Sequence, residues 1–139
     1  MNSNNKLARA AGFLYLIMII AGGFAEAFVR EGLTVSGDAV ATASNILASE
    51  QMYRFGFVAD LLTLICTIVL SLIFYILFKQ VNKNLSLLAL IFSIIASAVM
   101  ALNLLNQLAP LLLLHDTSYI KTFTIEQLQT LSLFFLNLQ

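Results

Sequence analysis

The sequence has little of what soluble domains depend on. It contains one cysteine, one proline, six glycines and no tryptophan, and only 10% of its 139 residues are charged, against about 25% in an average soluble domain. The lone Cys66 excludes both a disulfide and a cysteine-based metal site within one chain. Seven basic residues balance seven acidic ones, which argues against a nucleic-acid partner, since such a partner requires a basic face. The low fraction of charged residues also excludes a water-soluble monomer.

What the chain does contain is long apolar runs. Hydrophobic residues make up 60% of it, and the mean hydropathy is +0.95. Three runs, over about 10–29, 55–78 and 85–108, are each long enough as helices to cross a hydrocarbon core of about 30 Å. We therefore expect an all-α integral membrane bundle with three transmembrane helices. An alternative for the first run is a secretory signal peptide cleaved at Ala25-Glu26-Ala27.

Two shorter helices are predicted outside the spans. Residues 38–49 form an amphipathic pattern that favours a helix lying at the external membrane interface, with these residues on one side: Val40, Ala43, Ile46 and Leu47. The Thr124-Ile125-Glu126-Gln127 stretch fits a capping box that opens an amphipathic terminal helix over 125–139. Its apolar face is formed by Leu128, Leu131, Phe135 and Leu138.

The third run and the end of the chain carry two further predictions. Pro110 removes a backbone donor and clashes with the preceding turn, so we expect the third helix to kink or end around this residue. The sequence stops at Gln139 on an apolar helix face. We therefore expect 1–139 to be a single membrane domain that is incomplete at its C-terminus.

The basic residues near the span ends predict the orientation. Four of them have no acidic neighbour: Lys6, Arg9, Lys79 and Lys83. Three others lie among acidic residues: Arg30, Arg54 and Lys121. Because cytoplasmic loops carry the excess of Lys and Arg, we expect the N-terminus inside, with the 30–54 loop and the 115–127 segment outside.

Polar residues inside the spans are the candidate site. Counting about 1.5 Å per residue brings Glu26, Asp60 and the Asn103/Gln107 face to similar depths in the outer third of the membrane. Ionisable residues at such depths in the membrane favour a functional role for these side chains. The hypothesis is an outward-facing polar pocket lined by Glu26, Asp60, Asn103 and Gln107, with Arg30 and Arg54 at its rim as anion or headgroup contacts.

A structural alternative is that these groups neutralise one another. Glu26 is four residues before Arg30, and Glu50 is four residues before Arg54, the spacing of ion pairs on a helix. Asp60 would then pair with an amide or an arginine of a neighbouring helix.

The remaining features have structural interpretations. Tyr53 belongs to the aromatics near span ends, which are typical of packing or of the interfacial belt. His115, beside Asp116, lacks the further ligands that a metal site needs, and we expect neither a metal nor another cofactor. A ridge of small residues in the third span favours a second copy or another membrane protein as partner; it consists of Ala89, Ser93, Ser97 and Ala101.

With the segments placed, a family resemblance becomes visible along the whole chain. The matching stretches are LARAAGFLYL at 7–16, AEAFVR at 25–30, GD at 37–38, NILASE at 45–50, Arg54, and ADL at 59–61. They resemble a bacterial family of multi-pass membrane proteins catalogued as domain of unknown function 4386. The resemblance implies a polytopic inner-membrane protein with further helices, and it implies no catalytic residue.

Three functions remain open at this point. The first is binding or transport of a small ligand or lipid headgroup at the polar pocket. The second is a structural or regulatory membrane subunit without a small-molecule site. A membrane enzyme with some reactive residues in sequence beyond this chain is the third, and it ranks behind both.

Overall fold

The computed structural model describes residues 3–115 and 123–138, and these are helical with short connections. The elements in chain order are α1 (Ser3–Phe24), a π-helical segment (Ala25–Arg30), α2 (Glu31–Leu33), α3 (Ala39–Ala48), α4 (Glu50–Phe78), α5 (Lys83–His115) and α6 (Ile125–Leu136). Lys121, one of the basic residues near the span ends, and Asp116, the neighbour of His115, lie outside the described residues.

Three helices are long and apolar enough to cross a membrane. They run over Asn4–Leu33, Glu50–Phe78 and Lys83–Leu114, so the all-α membrane fold predicted from the apolar runs is confirmed. Each helix extends beyond its predicted span, since residues at the ends continue the same backbone hydrogen bonding. The first spanning helix combines α1, the π-helical segment and α2.

The central helix of the fold is α4. The N-terminal half of α1 packs on the C-terminal half of α4, where Ala11 meets Leu70 and Ile73, so the two helices are antiparallel. α4 also packs against α5. Within the described residues α1 and α5 do not contact each other. This arrangement leaves a space between them, with α4 as its floor.

The closest approach of the first helix to α4 depends on a glycine. A Cβ placed on Gly56 would lie 2.5 Å from Cγ2 and 2.9 Å from Cγ1 of Val29, and Val29 is buried with only 2% of its surface exposed. Val29 belongs to an apolar cluster with Leu33, Ile46 and other residues. The missing side chain at Gly56 therefore lets the π-helical segment sit directly on α4.

The connection into α3 is held by side chains of that helix. Thr42 accepts a hydrogen bond from the backbone N–H of Val35 at 2.9 Å and donates one to the Val35 carbonyl at 3.1 Å. Asp38 caps α3 by accepting from the N–H of Ala41 at 2.9 Å, as capping residues do. Gly37 has φ of +78°, which a residue without Cβ adopts readily.

The predicted helix is present as α3, but the apolar side predicted for it is divided between a buried part and an exposed part. Ala43 and Ile46 are buried together with Thr42, and α3 packs mainly on α6. Val40 and Leu47 remain exposed, at 59% and 47%. Its location at the membrane interface stays a prediction.

The last two helices test two predictions, the effect of Pro110 on α5 and the capping box of α6. α5 continues through Pro110 to His115, so the helix does not end at the proline. Pro110 is fully buried, and membrane helices tolerate proline where neighbouring elements satisfy the freed backbone groups. The capping box of α6 is confirmed: Thr124 Oγ1 accepts from the N–H of Gln127 at 3.3 Å, and Gln127 Oε1 accepts from the N–H of Thr124 at 2.9 Å.

Candidate functional site

A cavity of about 500 Å³ occupies the space between the first spanning helix and α5. Tyr53 and Asp60 of α4 line it, Thr34 lies in the connection after α2, and Leu136 comes from α6. Its other lining residues are Glu26, Val29, Arg30, Glu31, Met100, Asn103, Leu104 and Gln107. Every helix that could cross the membrane thus contributes to this one space.

The backbone of the first helix widens where it borders the cavity. Ala25–Arg30 is π-helical, and the N–H of Glu31 donates to the carbonyl of Glu26, five residues earlier. A π-helical turn carries more residues than an α-helical turn and is frequently found at functional sites. Here the widened turn carries two of the charged lining residues, Glu26 and Arg30.

An ion cluster joins this turn to α4. One guanidinium nitrogen of Arg30, Nη1, lies 2.5 Å from Oε2 of Glu26, and the other, Nη2, lies 3.0 Å from Oδ2 of Asp60. The side chain of Asp60 is only 5% exposed, whereas those of Arg30 and Glu26 are 37% and 58% exposed. The deeply buried carboxylate is therefore compensated by an arginine of the neighbouring helix.

Gln107 is the most buried polar residue of the cavity wall, at 2% exposure. Its backbone carbonyl accepts a hydrogen bond from the Tyr53 hydroxyl at 2.7 Å. Nothing in the described ranges hydrogen-bonds its side-chain amide, yet no described buried side-chain N or O atom lacks a partner. The amide atoms of Gln107 therefore border open space. This open space is the cavity, because Gln107 is one of its lining residues.

The structure brings most of the predicted site residues together. Glu26, Asp60, Asn103 and Gln107 all line the cavity, and so does Arg30. Arg54 does not: its side chain is 62% exposed and binds Glu50, with Nη2 and Oε1 2.6 Å apart. Residues 53 and 60 on α4 face the cavity, and residue 54 is rotated by about 100° from residue 53 on an α-helix, so it points elsewhere.

The ion pairs foreseen by the structural alternative are also present. Glu26 binds Arg30, Glu50 binds Arg54, and Asp60 binds the arginine of a neighbouring helix. Compensation of charge and a polar cavity therefore coexist, since the same groups that bind one another also border open space.

The small-residue ridge of α5 is used only in part inside the chain. Ser97 is buried at 5% exposure, and Ala89 and Ser93 line a small cleft of about 130 Å³ against α4. Ala89 and Ala101 are exposed. Ser93 and Ser97 therefore take part in packing within the chain, and a partner at the exposed residues of the ridge stays a prediction.

Sequence reasoning missed several lining residues. Thr34 and Glu31 follow the π-helical turn, and Leu136 reaches the cavity from α6. Tyr53 was interpreted as a packing or belt aromatic, but it is buried and hydrogen-bonded to α5. Spacing places residues on a face of their own helix and carries no information on contacts between helices distant in sequence.

Comparison with known proteins identifies the family. The family model described as Domain of unknown function (DUF4386) matches residues 10–139, and the chain belongs to this family. Searches of curated proteins and of solved structures found no match.

Proposed function

We propose that this protein binds or transports a small polar ligand or lipid headgroup in the cavity between its spanning helices. The observation that carries the proposal is the pair of deeply buried polar side chains, Asp60 and Gln107, beside about 500 Å³ of open space. Ligand sites of small molecules fall in the range of about 300–1,000 Å³ and combine apolar walls with a few convergent polar groups.

The cost of the polar groups supports the same proposal. A carboxylate within a spanning helix is expensive, by about 2.5–3.5 kcal/mol at the bilayer centre on insertion scales. Arg30 compensates Asp60, but this pairing alone would not need a cavity. Open space beside the pair is what a binding protein requires and what a purely structural subunit does not.

A location in the bacterial cytoplasmic membrane, with the N-terminus inside, completes the proposal. It is supported by the four basic residues that lack acidic neighbours: Lys6, Arg9, Lys79 and Lys83. In this orientation the cavity, near the C-terminal end of the first spanning helix, opens toward the external side.

The test measures whether the cavity admits a small solute in the folded protein. In a Cys66→Ala background, Leu104→Cys places a thiol on the cavity wall and Leu111→Cys places one in the apolar cluster on the same helix. The two leucines are matched, because they are 7% and 8% exposed. The reagent is methyl methanethiosulfonate, which is small and neutral, applied to protein in lipid nanodiscs.

We expect the thiol at position 104 to react at least about tenfold faster than the thiol at position 111, because only the former borders open space. Equal, slow reaction at both positions would show that the cavity is closed and would favour the structural subunit.

A further inference from the structure

The charges that line the cavity are unequal. Three carboxylates, on Glu26, Glu31 and Asp60, face one guanidinium, on Arg30. Arg30 already binds two of those carboxylates. Its charge is therefore compensated before any ligand enters, and an anion would meet a wall of negative potential.

The unpartnered amide of Gln107 points in the same direction. This side chain is 98% buried, and its amide reaches the cavity without a hydrogen bond from the described chain. Buried polar groups require a partner, so the ligand or water must supply one. An amide oxygen accepts hydrogen bonds, as do the carboxylates, and these acceptors call for a ligand that donates.

The apolar walls define the rest of the ligand. Val29, Met100, Leu104 and Leu136 border the same space. Tyr53 is the only aromatic residue among the lining residues within the described ranges. Quaternary ammonium groups are recognised by cages of several aromatic rings, which favours an ammonium that still carries N–H donors.

We infer that the cavity selects a protonated amine carrying an apolar group, with its N–H donors directed to the carboxylates and the Gln107 amide oxygen. The inference rests on the proposed function, because it names the ligand class of that cavity. Asp60 and Glu31 supply the negative charge, Gln107 supplies an oriented acceptor, and the leucine and methionine side chains contact the apolar part.

The experiment compares three probes with one apolar body and different charge: 2-phenylethylammonium, 2-phenylethanol and 3-phenylpropanoate. Each is tested for protection of the Leu104→Cys thiol against methyl methanethiosulfonate in nanodiscs, with the Cys66→Ala background. Isothermal titration gives the affinities. It uses the Cys66→Ala protein, which keeps Leu104, and the heats are corrected for those of empty nanodiscs.

We expect the ammonium probe to protect at concentrations at least about tenfold lower than either other probe, because hydrogen bonds to charged groups are stronger than those between neutral groups. Glu31→Gln should weaken its binding about threefold to fivefold, the effect of a partly solvated charge. Gln107→Leu should weaken it further. Glu126→Gln, which neutralises an exposed carboxylate of α6 away from the cavity, is the matched control and should change nothing.

The outcomes separate the two proposals. Equal or better protection by the alcohol or the carboxylate would overturn the amine assignment and leave the binding function in place. No protection by any probe, with the thiol at position 104 still reactive, would also overturn the amine assignment. An affinity that Glu31→Gln leaves unchanged would contradict the role of the excess negative charge, and Glu31 is exposed, so this variant is expected to fold. Only an unreactive thiol at position 104 would remove the binding function itself.

Discussion

At the scale of single residues, Gly56 determines how closely the first spanning helix approaches α4. We expect Gly56→Ala to destabilise the protein by about 1–3 kcal/mol, the usual cost of overpacking, because its Cβ would lie within 3.0 Å of three atoms of Val29. Thermal unfolding in nanodiscs measures the effect. The added methyl group would push the π-helical segment away from α4 and so move Arg30 relative to Asp60. This variant should therefore also bind the ammonium probe more weakly.

Gly23→Ala is the control for this variant. It makes the same change in the same kind of helix, and no atom lies within 4 Å of the added Cβ. Both substitutions gain about 1 kcal/mol of helix propensity, so their difference isolates the contact with Val29. Equal stability of the two variants would show that the close approach is unimportant.

Asp60 separates the structural role of the ion cluster from its role in binding. Asp60→Asn preserves the shape and one hydrogen-bond acceptor for Arg30 but removes the charge. We expect it to insert and fold, with a modest loss of stability, and to lose most protection by 2-phenylethylammonium. Asp60→Leu removes the acceptor too and leaves Arg30 with Glu26 alone, so we expect a larger loss of stability, about 1–3 kcal/mol.

The outcome for Asp60→Asn decides between the roles. If this variant is protected by the ammonium probe as well as the parent protein is, the carboxylate serves only to compensate Arg30. If both variants lose stability in proportion to the lost hydrogen bonds and keep full binding, the ion cluster is structural.

At the scale of elements, the connection between α2 and α3 is held by Thr42. Thr42→Val is nearly isosteric and removes the acceptor that binds the Val35 N–H, while the Val35 carbonyl keeps the N–H of Asp38 at 3.1 Å. We expect a loss of about 1–2 kcal/mol and faster hydrogen exchange over residues 34–37. Because Thr34 lines the cavity, the ammonium probe should bind more weakly as well.

Ser44→Ala is the control on the same helix. Ser44 is exposed and donates only to the Ala41 carbonyl one turn earlier, so its removal should leave stability within about 0.5 kcal/mol of the parent. Unchanged exchange over 34–37 in Thr42→Val would contradict the role assigned to the Thr42 hydroxyl.

The elements also show where prediction from sequence succeeds and fails. The spanning helices and the capping box at Thr124 follow from local spacing, which hydrophobic periodicity and capping chemistry encode directly. The π-helical turn does not follow, because its widening accompanies the seating of Val29 on Gly56, a contact between residues distant in sequence. Arg54 was placed at the rim because depth was counted and rotation about the helix axis was not.

At the scale of the whole molecule, orientation in the membrane is the remaining prediction. We expect the segment containing Ser44 to face outside and the turn containing Val81 to face the cytoplasm. Single cysteines at these positions, in the Cys66→Ala background, report on this with an impermeant maleimide added to intact cells. Val81 is 85% exposed and, unlike its neighbour Asn82, does not cap α5 through its side chain.

We expect labelling at position 44 and none at position 81 until the cells are permeabilised. The reverse pattern would invert the orientation and place the cavity on the cytoplasmic side. The fold and the polar cavity would be unaffected, since neither depends on which side is outside.

The central position of α4 has a consequence for the order in which the helices assemble during synthesis. Because, among the described residues, α1 and α5 each contact α4 and not each other, the first helix pair can assemble as soon as Phe78 has entered the membrane, before α5 exists. The wall formed by Met100, Asn103, Leu104 and Gln107 is added next, and Leu136 arrives after it. During synthesis the Arg30–Asp60 pair therefore precedes the cavity, so the most deeply buried carboxylate is neutralised before the cavity beside it is complete.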